Sequence, residues 1–449
     1  MKFAIVALAA LVAGGVATAS GAAPLDPAAA TKAIDAQTAK NWPELDALYK
    51  DIHSHPELGH HEVRTAALLA AKMRSLGLEV TEHVGGTGVV AILKNGPGPV
   101  VMVRTELDAL PMEEKTGLPY ASRVQFTGED GRTTFVAHSC GHDNHMAWWV
   151  GTAEALIALK AQWSGTVMFV AQPAEETVGG ASGMLKDGLF TRFPKPDFGF
   201  AAHVSNLPTG VVIVKDGGYN SNADAIDIVF KGRGAHGSMP SASIDPIVEA
   251  AHFVTDVQTV VSRQKDAGTF GVITVGAFQA GTVGNIIPDH AEVKLTLRSF
   301  TPEVRKLLLD GVTRTANAAA AMADAPPPAI TSEGAAAAVV NDHDLAVKVD
   351  ATLAASGGGD KAVFMPASAP GISASEDYSE FIIAGVPSLY MSVGGYDPAV
   401  LADDKARGEP VPTNHSPFFA PDHNAAIPTG IRTLTLAVLT VAPAKTPLP

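Results

Sequence analysis

The chain has 449 residues, and its 46 acidic side chains outnumber 32 basic ones for a formal net charge of −14 at neutral pH. With no basic run and no basic patch interleaved with aromatics, this balance argues against nucleic acid as a partner and against anionic membrane surfaces. A hydrophobic fraction of 46% over this length supports a large core and more than one domain.

The N-terminus, MKFAIVALAALVAGGVATASGAAP, has one lysine followed by an apolar stretch of small residues, closed by Ala17-Thr18-Ala19. This is the layout of a secretory signal peptide over residues 1–19 with an A-x-A cleavage site. The run is short and Ala/Gly-rich for a membrane anchor, and no other segment approaches the length of a spanning helix. The expected mature protein is exported, periplasmic or secreted, without stable membrane association.

Up to about residue 210, short apolar runs alternate with helix-like segments. GVVAIL (88–93), VVMVRT (100–105), TVMFVAQ (166–172) and FGFAAHV (198–204) read as strands, and residues 62–76 and 142–161 show helical spacing. Strands alternating with helices imply βαβ units and a largely parallel sheet. Near Gly217-Gly218 the texture changes: residues 223–232 and 291–300 alternate apolar and polar side chains, as half-buried antiparallel strands do. Helices are expected at 244–263 and 302–322, and Pro326-Pro327-Pro328 lies near the far end of this segment. Beyond residue 340 the α/β texture returns, with VPSLYMSV (386–393) as a strand. The fold expected is an α/β catalytic domain in two parts, 20–218 and 337–449, interrupted by an inserted small α+β lid at 219–336.

The polar residues that carry chemistry cluster at strand ends, where a parallel sheet presents its ligand-binding edge. Glu106 and Asp108 follow the second strand, Glu175 and Glu176 the third, and His203 ends the fourth. Cys140, the only cysteine, lies in AHSCGHDNH with His138, His142 and Asp143 around it, and His415 sits in the loop NHSP. A lone thiol in an exported chain has no partner for an intramolecular disulfide, and thiolate beside imidazole is a donor set for zinc-like ions. Adjacent carboxylates suit a division of labour, with one binding metal and the other facing water as a general base.

These motifs resemble a known family. DIHSHPELGHHEVRTA, VRTELDALPMEEKTGLPYAS, AHSCGHDNH, QPAEETVGGASGML, GRGAHGSMP, GNIIPD, SEDYSEF and NHSPFF look like the M20 metallopeptidases, and more narrowly the amidohydrolase branch with hippurate and auxin-conjugate hydrolases. The resemblance implies two divalent ions per subunit, zinc or manganese first and cobalt or nickel tolerated, and hydrolysis of N-acyl amino acids or related small-molecule amides. It implies Cys140, His142, Glu176, His203 and His415 as metal ligands, Glu175 as general base, and Asp108 as the group that orients a ligand. From the lid it implies His236 as the stabiliser of the oxyanion, Asn285 and Arg298 as contacts to the substrate carboxylate, and a homodimer through the lid domain. Glu106 stands where Asp is usual, Asn144 where Gly is common, and Trp148-Trp149 where smaller residues are; His53 and His55 are read as structural. The rival expectations are a metallo-carboxypeptidase or dipeptidase, and a catalytically silent binding protein of the same fold.

The export reading predicts a mature chain beginning near Ser20. N-terminal sequencing of protein recovered outside the cytoplasm checks it, and an intact Met1 there would count against cleavage.

Overall fold

The computed structural model describes residues 25–442, so the signal-peptide expectation lies outside the described residues. Among the described residues no helix is long and apolar enough to cross a membrane.

The larger sheet is built from β1 (Glu79–Val84), β2 (Gly88–Lys94), β3 (Val100–Glu106), β4 (Thr166–Gln172), β5 (Phe198–Pro208) and β6 (Val211–Lys215). The chain then enters the inserted unit through β7 (Ala223–Lys231), β8 (Gly271–Ala280), β9 (His290–Ser299) and β10 (Ala329–Ala336), and returns with β11 (Lys361–Met365) and β12 (Ser388–Tyr396). Spatial order in the larger sheet is β1-β2-β4-β3-β5-β12-β6-β11. Its centre, β4-β3-β5-β12, is parallel. Toward the edges β2 runs antiparallel to β4 and β6 antiparallel to β12. The central strands are continuous apolar runs because both of their faces are covered: six of the seven residues of β3 and every residue of β12 are buried.

The principal helices are α1 (Pro27–Ser54), α2 (Val63–Ser75), α3 (His142–Ala158), α4 (Gly180–Lys186), α5 (Pro246–Asp256), α6 (Pro302–Met322), α7 (His343–Ala354), α8 (Ser379–Ile383) and α9 (His423–Val441). Helix α3 is buried on all sides from His142 to Leu156, packed between the sheet and helices α1 and α9. Close approach of α3 to α9 depends on one glycine in each. A Cβ on Gly151 would lie 2.3 Å from Ile431 Cδ1, and a Cβ on Gly430 would lie 2.2 Å from Trp148 Cε3. Each helix thus yields backbone space to the other's large side chain, which is how Trp148 fits where a smaller residue was expected.

The inserted unit is a four-stranded antiparallel sheet, β8-β9-β7-β10, with α5 and α6 packed on it and a core of its own that includes Ile228, Phe230, Phe253, Leu308 and Val312. The predicted helix 244–263 is shorter than expected. Asp245 caps it by accepting from Ile247 N, α5 ends at Asp256, and Val260–Gln264 forms a wider π-type turn. Where the insert leaves and rejoins the catalytic domain, Gly217–Asn220 pairs antiparallel with Val339–Asn341, tying exit to return.

Within the insert, Glu249 on α5 is 1% exposed, and neither carboxylate oxygen has a hydrogen-bond partner. Burial, with Asp245 adding to it, pushes this carboxyl up to about 7. A raised carboxyl pKa means that the folded state favours the protonated form, so its contribution to stability is complete below the ordinary carboxylate range and lost as pH rises through about 7. Thermal melts should therefore show Tm falling between about pH 5 and 8, and Glu249→Gln should flatten that slope and raise Tm at the alkaline end. An unchanged slope in the variant would show that Glu249 does not set it.

Candidate metal and hydrolytic site

The site forms where the parallel strands of the larger sheet end. After β3 the chain turns through Asp108, and after β4 through Glu175 and Glu176. Gly141 caps α3 with φ +94°, a left-handed conformation, and a Cβ there would sit 2.3 Å from Val204 Cγ1. That turn sets Cys140 and His142 on the same side, next to His203 on β5.

His142 and His203 are each oriented by a bond through Nδ1, which leaves Nε2 directed into the site. His142 Nδ1 lies 2.8 Å from the Asp108 carbonyl, and His203 Nδ1 lies 2.8 Å from the Val204 carbonyl. His142 Nε2 is buried without a partner, as are Glu176 Oε1 and Asp108 Oδ1. Cys140 Sγ is 3.4 Å from His203 Nε2, and His415 Nε2 is 3.4 Å from Glu176 Oε2. His142 Nε2 is 3.9 Å from a carboxylate oxygen of both Glu175 and Glu176. Three sets of three, Cys140-His142-His203, Cys140-Glu176-His415 and His142-Glu175-Glu176, each have ligand atoms within 4.8 Å of one another.

Charge at this point is finely opposed. Burial, and then the neighbouring Glu176 and Glu175, hold the Cys140 thiol well above its ordinary pKa. Burial pulls His142 down, but Asp108, Glu106 and Glu176 outweigh it and raise the ring to about 10. Burial and the adjacent Glu376 and Glu176 push Glu175 well above the usual carboxylate range. Buried thiol, imidazole and carboxylate groups with unmet polar atoms and an excess of negative charge are the donor chemistry of a divalent-cation site, and the residues present fit two such ions.

The backbone around the site is strained. Of the six non-glycine residues with positive φ among those described, Ala174, Val178 and His415 stand here, at +51°, +51° and +68°. Such conformations persist only where surrounding contacts enforce them, and they concentrate at functional sites. Asn414 helps enforce the last, donating from Nδ2 to the carbonyls of Cys140 and Val204 at 2.8 and 3.1 Å.

A cleft of about 360 Å³ opens above these groups, lined by Cys140, Glu175, Glu176, His203 and His415 and, from the insert, by Arg298. Arg298 lies on β9, and its Nη1 is buried without a partner. The other two residues expected from the lid stand elsewhere. His236 is exposed on a two-residue strand with Nδ1 2.7 Å from Ser238 Oγ, and Asn285 is its close neighbour, accepting from Gly237 N at 2.8 Å. Neither lines the cleft of its own chain. His53 is buried between Asp143 and Glu114, at 2.6 and 3.1 Å, behind α3 and away from the cleft, and His55 is exposed beside Asp51.

Several groups had no role in the sequence reading. His145 accepts from Val204 N at Nε2 and so donates from Nδ1 to Glu106, 2.9 Å away, which makes Glu106 a brace between β3 and α3. Arg104, fully buried, contacts Glu106, Glu376 and Asp377. Glu62, from the turn before α2, accepts from Ala174 N at 2.8 Å. The signal available in the sequence was the paired Glu376-Asp377 within the motif SEDYSEF.

Peptidase family M20/M25/M40 matches residues 102–439. The hippurate hydrolase of Campylobacter jejuni is 39% identical over 272 residues, which are 59% of this chain and 66% of that protein. The N-acetylcysteine deacetylase of Bacillus subtilis is 37% identical over 281 residues, 61% of this chain and 69% of that one. The chain thus spans about two thirds of the length of these curated relatives. Among solved structures, the YXEP protein of Bacillus subtilis, described as a dinuclear metal binding peptidase from the M20 family, superposes with a TM-score of 0.72 at 28% identity, covering 91% of this chain and 99% of that one. With the match extending over well more than half of the sequence, the chain belongs to Peptidase family M20/M25/M40, on its amidohydrolase branch.

Proposed function

We propose that this protein is an exported two-metal amidohydrolase that cleaves the amide bond of N-acyl amino acids or related small amides. The observation that carries the reading is the convergence of candidate ligand atoms, His142 Nε2 and Glu176 Oε1 among them buried without a hydrogen-bond partner, with Glu175 beside them as a carboxylate beyond the five expected ligands. A binding protein has use for Glu176 and none for Glu175 beside it.

Cys140, His142, Glu176, His203 and His415 would hold the two divalent ions, and the thiolate favours zinc, with manganese, cobalt and nickel as alternatives. Such ions, when bound, polarise the substrate carbonyl and bring the pKa of water down towards neutrality. Glu175 takes the proton from the attacking water and delivers it to the leaving amine nitrogen. Asp108 keeps both neighbours in place, since its carbonyl meets His142 Nδ1 and its Oδ2 accepts from Glu176 N at 2.9 Å. Arg298 offers its fork to the carboxylate of the amino-acid moiety from the lid side of the cleft. His236 and Asn285 stand outside this cleft, and a homodimer formed through the lid is the arrangement by which they would reach a substrate in the partner.

The paired glutamates separate chemistry from binding. Glu175→Gln should retain metal and still bind substrate while kcat falls by at least about 10²–10⁴-fold, the usual contribution of a general base. Glu176→Gln should lose metal affinity first, with activity partly restored by excess metal. Elemental analysis beside kcat for both variants decides this, and full activity in metal-loaded Glu175→Gln would overturn the mechanism. A panel of hippurate, other N-acyl amino acids and dipeptides distinguishes an amidohydrolase from a dipeptidase.

Arg298→Ala should raise KM by about 10–100-fold for substrates with a free carboxylate, the loss expected for a hydrogen-bonded charge contact. An amide lacking that carboxylate should be cleaved almost unchanged. Equal losses on both would remove Arg298 from substrate recognition.

A further inference from the structure

The loop Pro173–Val178 carries both Glu175 and Glu176 between the end of β4 and the start of α4. It is short, and Ala174 and Val178 both have left-handed backbone conformations. Something must hold it. The two ends of the loop converge on one buried carboxylate from a distant part of the chain, Asp377, which is 1% exposed and lies immediately before α8.

Asp377 Oδ1 accepts from Gln172 Nε2 at 2.6 Å, at the upstream end of the loop. Its Oδ2 accepts from the backbone N–H groups of Gly179 and Ala181, at 3.2 and 3.1 Å, at the downstream end. Arg104 Nη2 lies 3.3 Å from Oδ1 and supplies the compensating charge. One carboxylate therefore closes a ring around the loop, using both oxygens, and the loop lies across the junction between the halves of the catalytic domain. Between these ends two further carboxylates grip the loop backbone, Glu62 at Ala174 N and Asp108 at Glu176 N.

We propose that Asp377 is a positioning residue for the hydrolytic step, acting through the Glu175–Glu176 loop by clamping both of its ends. The inference rests on the reading of Glu175 as general base. Asp377 touches no substrate atom in this account. It sets where the Glu175 carboxylate stands relative to the ligands, and errors of about 1 Å in such placement can lower rates about 10²-fold.

Asn at this position keeps the shape but has one acceptor oxygen where the clamp uses two, and its amide hydrogens would face donors. In the full-length, metal-loaded enzyme, Asp377→Asn should lower kcat by about 10–100-fold while KM stays within about twofold. Metal content should stay close to that of the unaltered enzyme, and although losing a buried acceptor lowers Tm, the protein should remain fully folded at the assay temperature. Gln172→Met, which removes one arm of the clamp together with the acceptor for Arg104 Nε and leaves the carboxylate, should lower kcat several-fold with the same split, and it carries the test if Asp377→Asn does not fold. Wild-type kcat in both variants overturns the clamp, as does a fall in kcat that merely tracks loss of metal or of folded protein. Glu175→Gln in the same assay keeps the two ideas apart: if it is fully active the base assignment fails, and if it is inactive while both clamp variants are unaffected only the clamp fails.

Discussion

The catalytic domain is organised around a buried cation. Arg104 has no exposed side-chain surface and contacts Glu106, Glu376 and Asp377, while Tyr390 donates its hydroxyl to Glu376 at 2.6 Å. Carboxylates placed this deep are tolerable only with opposite charge and full hydrogen bonding, because burying an unpaired charge costs several kcal/mol. Arg104 and Glu106 belong to the first part of the domain and Glu376 and Asp377 to the second, with the whole insert between them in sequence. The ion cluster is therefore a reason why the two parts must come together as one unit. It also explains how the longer Glu106 is accommodated: its carboxylate spans from Arg104 to His145.

The same economy of acceptors shapes the reactive loop. Backbone N–H groups that a strained turn would leave unpaired are met by Glu62, Asp108 and Asp377. Charge-assisted bonds of this kind are shorter and stronger than neutral ones, and they offset the local conformational cost of Ala174 and Val178. The result is preorganisation. Glu175 and Glu176 are adjacent in sequence yet engaged differently, with Glu176 against His415 and Glu175 facing the negative side of the pocket beside Glu376.

The candidate metal ligands and the arginine that lines the cleft beside them belong to separate folding units. All five candidate ligands and the base come from the domain with the large sheet, whereas Arg298 reaches the cleft from an insert with its own hydrophobic core. The connection between them is narrow, a short antiparallel pair at Gly217–Asn220 and Val339–Asn341.

The sequence by itself determined the parts whose character is local. Short, β-branched apolar runs at residues 88–93, 100–105 and 166–172 read as covered strands, and they begin and end within a residue of the observed ones. The alternating strands of the insert and the helix 302–322 were equally legible, because their periodicity records which face is buried. Cys140 and His142 were close in any fold that turned at Gly141. Helix α1 was not legible, since its apolar positions are diluted by alanine and interrupted by Pro43, and it is held by packing on α3 and α9. Only the tertiary structure decided that Arg104 meets Glu376 and Asp377, more than 270 residues away, that Arg298 turns into the cleft, and that His236 and Asn285 stay outside it. The reason is physical: periodicity along a chain reports burial within one element, whereas a buried charge is stabilised by whichever opposite charge the packing of distant elements brings within a few ångströms.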